Sequence, residues 1–563
     1  MVLLDTKLSV ISQLVGVKLT SEQLAANLFD IGFELDDIQG DAIKIDITPD
    51  RIDALSPRGL ARILKLYMGV AKKPTTYEAK PNKNYKVIVE PSVAPIRPYT
   101  VCAVVKGLSL GDDEIKQIIW IQEKLHVTLG KHRRRAALGV YPLDKIAWPV
   151  TFCARKPADI SFQPLDSVSF QTAKQILERH PTGIAFAHLL ADLPMYPLFI
   201  DANKQILSLP PIINSQNIGK VTHDTRDVFI EVSGFDEKLL SNILNLVVCF
   251  LIDMGGDAYS VEVNYGKKKL ITPNLEYEER KITTDAVQKM TGLVDIGSKD
   301  IAQALNKMHY TITKVENGAV KFQVPPFRLD IWHDVDIIDD VVRAYGVNNI
   351  TPTAPQVPTI GGLLYENRLQ QKITELFIGA GCVEIKTLGV TDKLDQFTKM
   401  QLPPKPHIAL GSTAERNINM VRSWLIPESL KFLGNNASAT FPQHIFEIGD
   451  VVIPDEAADV KSRNVPHACF ALCDERANFT TAKQLLELVI MKLGVKASAL
   501  AYKALKHDSF IDGRAATVAV NGQSVGYFGE MHPQVLANWK IVMPLAVAEI
   551  DIAALIAAMK PLE

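Results

Sequence analysis

VPPFRLDIWHDVDIIDDVVRAYG, residues 324–346, is the stretch on which the reading of this chain turns. It passes from a proline-marked extended segment into an acidic helical pattern. Asp336, Asp339 and Asp340 stand at i, i+3 and i+4 and share one helical face, and Asp330 ends the extended segment before them. Carboxylates crowded on one face repel each other by roughly 0.2–0.5 kcal/mol per pair. A place near a helix N-terminus recovers part of that. A hard divalent cation would recover more, and oxygen-only ligands favour magnesium or calcium over zinc. The plainer alternative is an acid-rich first helical turn. Spacing alone leaves both open.

Working outward, strands and helices mix without strict β-α alternation, which predicts an α+β, multidomain chain with mainly antiparallel sheets. Helical patterns are expected at Thr20 to Phe29, with Thr20 or Ser21 as cap, and at Ser56 to Met68, where Pro57 suits a first helical residue. Others lie at Gly111 to His126, Asp236 to Met254, Asn367 to Gly379 and Thr481 to Leu493. Ala42 to Ile47, Thr517 to Val520 and Val525 to Glu530 read as strands. Lys72 to Tyr85 reads as a linker, the prolines near Lys267 to Pro273 as a break, and Thr351 to Pro358 as a second linker. The expected domains are therefore residues 1–80, 85–268, 272–352 and 360–563.

A chain of 563 residues is too long for one core. With 47% hydrophobic and 22% charged residues it is a folded globular chain, not a disordered one. A formal net charge of -2 excludes a globally basic nucleic-acid binder, so RNA contact must come from local patches. Its six scattered cysteines lack paired zinc-site spacing and read as free thiols, as in the cytoplasm. The N-terminus lacks a signal-peptide pattern, and no run reaches the roughly 20 apolar residues of a membrane helix. A cytoplasmic protein with no membrane contact is expected.

The order of two prolines, Arg-x-Asp-Ile, an acidic helix and Arg-x-Tyr-Gly resembles the magnesium-associated domain of phenylalanyl-tRNA synthetase beta subunits. The resemblance covers nearly the whole chain. ITPDRIDALSPRGLARIL (47–64) is similar to the N-terminal module. IQEKLHVTLGKHRRRAALGVYPLDKI (121–146) and LPPIINSQNIGKVTHDTRDVFIEVSG (209–234) look like the editing domain in its archaeal or eukaryotic form. RSWLIPESLKFL (422–433), IFEIGDVV (445–452) and HDSFIDGRAATVAVNGQSVGYFGEMHP (507–533) look like an antiparallel-sheet, class II synthetase-like C-terminal module. The family implies a Mg2+ ion held by Asp330, Asp336, Asp339 and Asp340 at the contact with the alpha subunit, an (αβ)2 heterotetramer, and tRNA(Phe) as partner. It also implies that ATP is bound on the alpha subunit. Asp339 and Asp340 replace the glutamates of relatives, which shortens their reach.

Class II activation needs an arginine on the ATP α-phosphate and a glycine-rich stretch ending in a second arginine. Residues 360–563 contain no Gly-x-Gly-x-Gly…Arg run and no Arg-x-Glu at the expected place. Phe327 to Asp330 comes close to the latter but precedes an acidic helix. Met420-Val421-Arg422-Ser423 lies in a related place with no acidic partner beside it. The C-terminal module is thus expected to be without catalytic motifs, since fold alone licenses no activity. His507 and His532, with no nucleophile beside them, read as structural.

A pocket for phenylalanine rejects tyrosine by only about a hundredfold, and a second, hydrolytic site closes the gap. Such a site should bond the phenolic oxygen and hold the terminal phosphates of the tRNA. Lys131 to Arg135 is a basic run before an apolar strand, readable also as a solvated loop. Gln122 shares a helical face with His126. Ser208, Asn214, Glu231 and Ser233 fall on strand-like segments, and Glu231 and Ser233 share a strand face. By resemblance, Gln122, Arg133, Ser208, Glu231 and Ser233 would line the editing pocket, with Glu231 and Ser233 in place of Asp and Thr. No catalytic triad is apparent, so hydrolysis would rest on positioned water, helped by the tRNA's own hydroxyl. Two other readings stay open: a free-standing deacylase of tyrosyl-tRNA, and a structural or RNA-binding subunit whose editing pocket is inactive.

Overall fold

In the computed structural model, which describes residues 2–413, 415 and 417–559, the chain is a mixed α+β protein with several sheets. It divides into two compact units, Met1–Ala354 and Pro355–Glu563. The division falls within the proline-rich stretch 351–358, and residues 350–364 carry no helix or strand.

The helix signals come out within a few residues. Ser21–Asp30 starts in a capping box, in which Gln23 N–H donates to Thr20 Oγ1 and the Gln23 side chain returns to the Thr20 N–H. Pro57–Tyr67 begins at the expected proline, with Ser56 Oγ accepting from Gly59 N–H. Asp112–Val127, Glu237–Asp253, Tyr365–Gly379 and Phe479–Lys492 match the other patterns.

Two readings of breaks are corrected. The expected linker Lys72 to Tyr85 is tied down: Tyr77 and Tyr85 are buried, and Ala79–Lys80 pairs in parallel with Asp257–Asn264. Aromatic rings carry the apolar area that fixes this otherwise polar segment. The expected break near Lys267 to Pro273 holds a strand, Lys269–Thr272, antiparallel to Asp257–Asn264. Its Thr272 hydroxyl donates to Cys102 O at 2.6 Å and accepts from Cys102 N–H at 3.0 Å.

The segments read as three modules pack together in the first unit around Arg62. This buried guanidinium donates to Asp253 at 2.7 Å and lies 3.8 Å above the Phe327 ring. Tyr77 Oη donates to the other Asp253 oxygen at 2.7 Å, and His309 Nε2 meets Arg62 O at 2.8 Å.

An eleven-stranded sheet dominates this unit. At one end of its path lie Tyr196–Ile200, Ile206–Leu209 and Ile213–Asn214, and at the other Tyr99–Lys106, Val228–Gly234 and Ala136–Pro142. It is mostly antiparallel, but Lys86–Val89 runs parallel to both of its neighbours. Phe199 and Leu207 from one end share a core with Val104, Tyr141 and Phe229 from the other, so the sheet bends back on itself. The second unit holds a seven-stranded sheet in which only Val383–Glu384 pairs in parallel.

Candidate functional site

Val228–Gly234 (VFIEVSG) is buried at every residue, between Tyr99–Lys106 and Ala136–Pro142. Its period-two pattern sends Val228, Ile230 and Val232 into one core and Phe229 into another. Glu231 shares the Phe229 face, so a carboxyl is placed in the interior of a sheet. The sequence makes room for it. Glu231 lies opposite Gly139, where a Cβ would stand 2.2 Å from Tyr141 Oη. Glycine at this strand position allows the Tyr141 phenol to fold back over its own backbone.

Tyr141 Oη lies 2.8 Å from Ser208 Oγ and 3.1 Å from Glu231 Oε1. Its one proton serves one contact, and the partner supplies the proton for the other. Glu231 Oε2 is buried and has no hydrogen-bond partner. Burial pushes the Glu231 carboxyl up to about 8, against the opposing pull of Tyr141, Arg97 and Ser233. An acid with this shift is largely protonated at neutral pH in the free protein.

Glu231 and Ser208 form part of the wall of a cavity of about 480 Å³, closed on another side by the helix Asp112–Val127. Gln122 lines it and donates from Nε2 to Leu138 O at 2.9 Å. His126 accepts the Leu138 N–H at Nε2 (2.9 Å), and burial lowers its pKa, so the ring is neutral. Apolar walls with a few convergent polar groups are the ordinary make-up of a small-molecule site.

Arg133 also lines the cavity, but its guanidinium is engaged. Nη1 donates to Ile212 O at 2.8 Å, Nη2 meets Glu123 at 2.8 Å, and the group stacks 4.3 Å over Phe186. In the basic run it alone is buried; Lys131, His132, Arg134 and Arg135 are exposed. Lys131, His132 and Arg133 all have positive φ, a left-handed turn costing roughly 1–2 kcal/mol per residue. That turn directs Arg133 inward and leaves its neighbours in solvent. Asn214 lines the cavity, whereas Ser233 lies beyond its wall. Ser233 accepts from Arg97 Nε at 3.0 Å and offers its carbonyl to Arg97 Nη2. Tyr141 and Arg97 escaped the sequence reading. The glycine inside an apolar strand, two residues before a tyrosine, was the available signal for Tyr141.

The acidic helix Asp334–Tyr345 is built otherwise than a metal cluster. Arg328 Nε and Nη2 donate to the two oxygens of Asp330 (2.9 and 2.7 Å), and Nη2 also meets Asp340 Oδ2 at 2.7 Å. Tyr310 Oη donates to the same Asp340 oxygen at 2.6 Å. Asp336 Oδ2 accepts the Trp332 and His333 N–H groups, each at 2.7 Å, and caps the helix start. Asp339 pairs with Arg343 at 2.7 Å. Among the described residues no group of three or more His, Cys, Asp or Glu side chains is gathered as a metal site. As their side chains stand, Asp330, Asp336, Asp339 and Asp340 do not fit one shared ion.

In the second unit Arg422, which lacks an acidic neighbour in sequence, finds one in space. It donates to Glu447 Oε1 (2.7 Å), Thr387 Oγ1 (2.9 Å) and Asp450 O (2.8 Å). His532 caps the helix Pro533–Asn538 through Nδ1, a structural duty.

The fold and this carboxyl-lined cavity define a multidomain protein whose first unit holds a small-molecule-sized site and whose second is a separate, mainly antiparallel unit. Family models match the phenylalanyl-tRNA synthetase beta chain CLM domain over residues 350–552 and the tRNA synthetase B5 domain over residues 280–347. The chain is 35% identical over 551 residues to the phenylalanine–tRNA ligase beta subunit of Pyrococcus abyssi, covering 97% of this chain and 98% of that one. The beta subunit from Methanocella arvoryzae is 35% identical, with 96% and 98% covered. A crystal structure of an N-terminal fragment of the beta subunit from Pyrococcus horikoshii superposes with a TM-score of 0.58 at 36% identity, covering 61% of this chain and 99% of the fragment. The chain belongs to the family of phenylalanine–tRNA ligase beta subunits, which are aminoacyl-tRNA synthetase subunits. A beta subunit implies an alpha partner. Among the described residues no helix is long and apolar enough to cross a membrane.

Proposed function

We propose that this chain is the proofreading subunit of a phenylalanine–tRNA ligase, assembling with a catalytic alpha subunit and tRNA(Phe) and hydrolysing mischarged tyrosyl-tRNA. The observation that carries the reading is the buried Glu231 carboxyl among the residues lining a largely apolar cavity, with one oxygen, Oε2, that has no hydrogen-bond partner. Phenylalanine leaves that atom unpaired. Tyrosine reaches it with a phenolic O–H, and a site with a buried unpaired group favours the ligand that pairs it. Gln122, Arg133 and Ser208 shape the same wall, and Ser233 acts behind it through Arg97. Ser208 is bonded to Tyr141 and His126 to Leu138, so neither joins the other as a nucleophile–base pair, and the chain orients the ester and a water. Co-expression with the alpha subunit should give a one-to-one complex, an (αβ)2 tetramer, that deacylates preformed tyrosyl-tRNA faster than phenylalanyl-tRNA. Equal rates for the two esters would refute proofreading. A chain that purifies alone and deacylates without alpha would favour the free-standing enzyme.

The second unit serves as a class II-like platform without the chemistry of its fold. Arg422 is neutralised by buried Glu447, which leaves it no free charge for a nucleotide phosphate. The chain freed of alpha should therefore catalyse no phenylalanine-dependent exchange of pyrophosphate into ATP. Measurable exchange by the single subunit would end that claim. Magnesium enters no step of this reading. Arg328 supplies the positive charge between Asp330 and Asp340 that a cation would otherwise supply.

A further inference from the structure

Glu231 is the end of no simple pair. It lies between two bonded sets of buried polar groups, Ser208 with Tyr141, which also bonds Glu231, and Ser233 with Arg97 further along its strand. Ser208 comes from one end of the bent sheet, and Tyr141 and Glu231 from the other. The phenol of Tyr141 is the only group bonded to Glu231 Oε1 among the described residues. A terminal carboxyl torsion is broad, so nothing intrinsic to glutamate fixes how the carboxyl plane is turned. The Tyr141 bond to Oε1 fixes it and leaves Oε2 without a partner.

We propose that Tyr141 is a positioning residue for tyrosyl ester hydrolysis, fixing Glu231 so that Oε2 receives the phenol of the substrate. This rests on the proofreading reading above. The carboxyl then stands between two phenols, one belonging to the chain and one to the substrate. Tyr141 is not among the residues that line the cavity; it acts through Glu231, which is. The geometry also bears on protonation. The groups facing Glu231 are Tyr141 and Gly139 on one flanking strand, Cys102 on the other, Ser208 across the bend, and Ser233 along its own strand, with Arg97 bonded to Ser233 from before Tyr99–Lys106. Burial raises the Cys102 thiol well above its ordinary range, so it is neutral; Arg97 is the cation of the set. A phenol proton directed at Oε1 favours the carboxylate, the form that accepts the substrate's O–H. Loss of that proton pushes the carboxyl further up.

The test uses the assembled complex with wild type, Tyr141→Phe, Ser208→Ala and Glu231→Gln, and compares hydrolysis of tyrosyl- and phenylalanyl-tRNA from pH 6 to about 9. The phenylalanyl ester corrects for alkaline hydrolysis of the bond itself. In the wild type the tyrosyl-to-phenylalanyl ratio should climb as pH rises towards about 8, where Glu231 ionises. Tyr141→Phe should lower the ratio at neutral pH by about three- to tenfold, one neutral hydrogen bond, and move its rise to higher pH. Ser208→Ala should lower the ratio less and leave the position of the rise nearer to wild type. Phenylalanine charging, which takes place on alpha, reports folding in every variant. A Tyr141→Phe profile that falls in height without moving in pH would reduce Tyr141 to a packing residue and overturn the proposal. If the wild-type complex hydrolyses the two esters at equal rates, the proofreading reading itself fails; a wild-type preference for the tyrosyl ester with an unmoved Tyr141→Phe profile fails this proposal alone, so the two failures are distinguished.

Discussion

Arg328→Ala should cost the unit Met1–Ala354 about 3–5 kcal/mol of unfolding free energy, the usual penalty for removing one partner from a buried ion pair. The side chain is buried, and its fork binds Asp330 through both oxygens and Asp340 through one. Its loss strands Asp340, only 3% exposed, with a single hydrogen bond from Tyr310. Two carboxylates then face each other without a cation. Arg328→Lys should recover part of the loss but not all of it, because an ammonium cannot make the bidentate contact. Chemical denaturation of the full chain, followed for the transition of this unit, measures the effect. Magnesium makes the experiment sharper. Wild-type chain should melt at the same temperature with and without the ion, since the carboxylates are already neutralised. A clear upward shift of the wild type by magnesium would show that the ion displaces Arg328 and that the acidic face is a metal site. Tyr310→Phe, which removes one hydrogen bond and no charge, should cost only about 0.5–1.5 kcal/mol.

That contrast also marks what the sequence could tell. The i, i+3, i+4 spacing placed three carboxylates on one helical turn correctly, because helix periodicity is local. Where Asp340 turns depends on Arg328 and Tyr310, and Tyr310 arrives from a chain segment 30 residues earlier, which no spacing reveals. The same division runs through the cavity. Glu231, Ser208, Gln122 and Arg133 were named as pocket residues by the family resemblance, and all four line the cavity. Ser233 shares the strand face of Glu231, as read, but the buried Arg97 draws it into a hydrogen bond outside the wall. Tyr141 was not singled out in the sequence. Its role depends on the sheet bending far enough for opposite ends to meet, a tertiary fact set by register. The linker misreading has the same origin: Lys72 to Tyr85 is polar in composition, yet two tyrosines and a two-residue parallel pairing hold it in the fold.

For Glu231→Ala in the assembled enzyme, hydrolysis of tyrosyl-tRNA should fall by about ten- to a hundredfold while phenylalanine charging is unchanged. The size follows from one charge-assisted hydrogen bond, about 1.5–3 kcal/mol, lost from the tyrosyl ester alone. Selectivity against the phenylalanyl ester should fall with it, because that ester never pairs Oε2. Removing the side chain also relieves a cost in the free protein, and pH exposes this. Burial raises the carboxyl from 4.5 to about 8, so the folded state holds a proton that the unfolded state releases between those values. For a raised acid, stability is full below the unfolded value and is lost as pH rises through that window. Wild-type chain should therefore lose stability between pH 4.5 and about 8 to an extent that Glu231→Gln does not. Thermal melts of the two chains across that range measure the difference. A glutamine variant whose melting follows pH as steeply as wild type would mean that Glu231 is ionised throughout. The carboxylate would then meet the phenol at neutral pH without first losing a proton, and hydrolysis of the tyrosyl ester should show no rise towards pH 8.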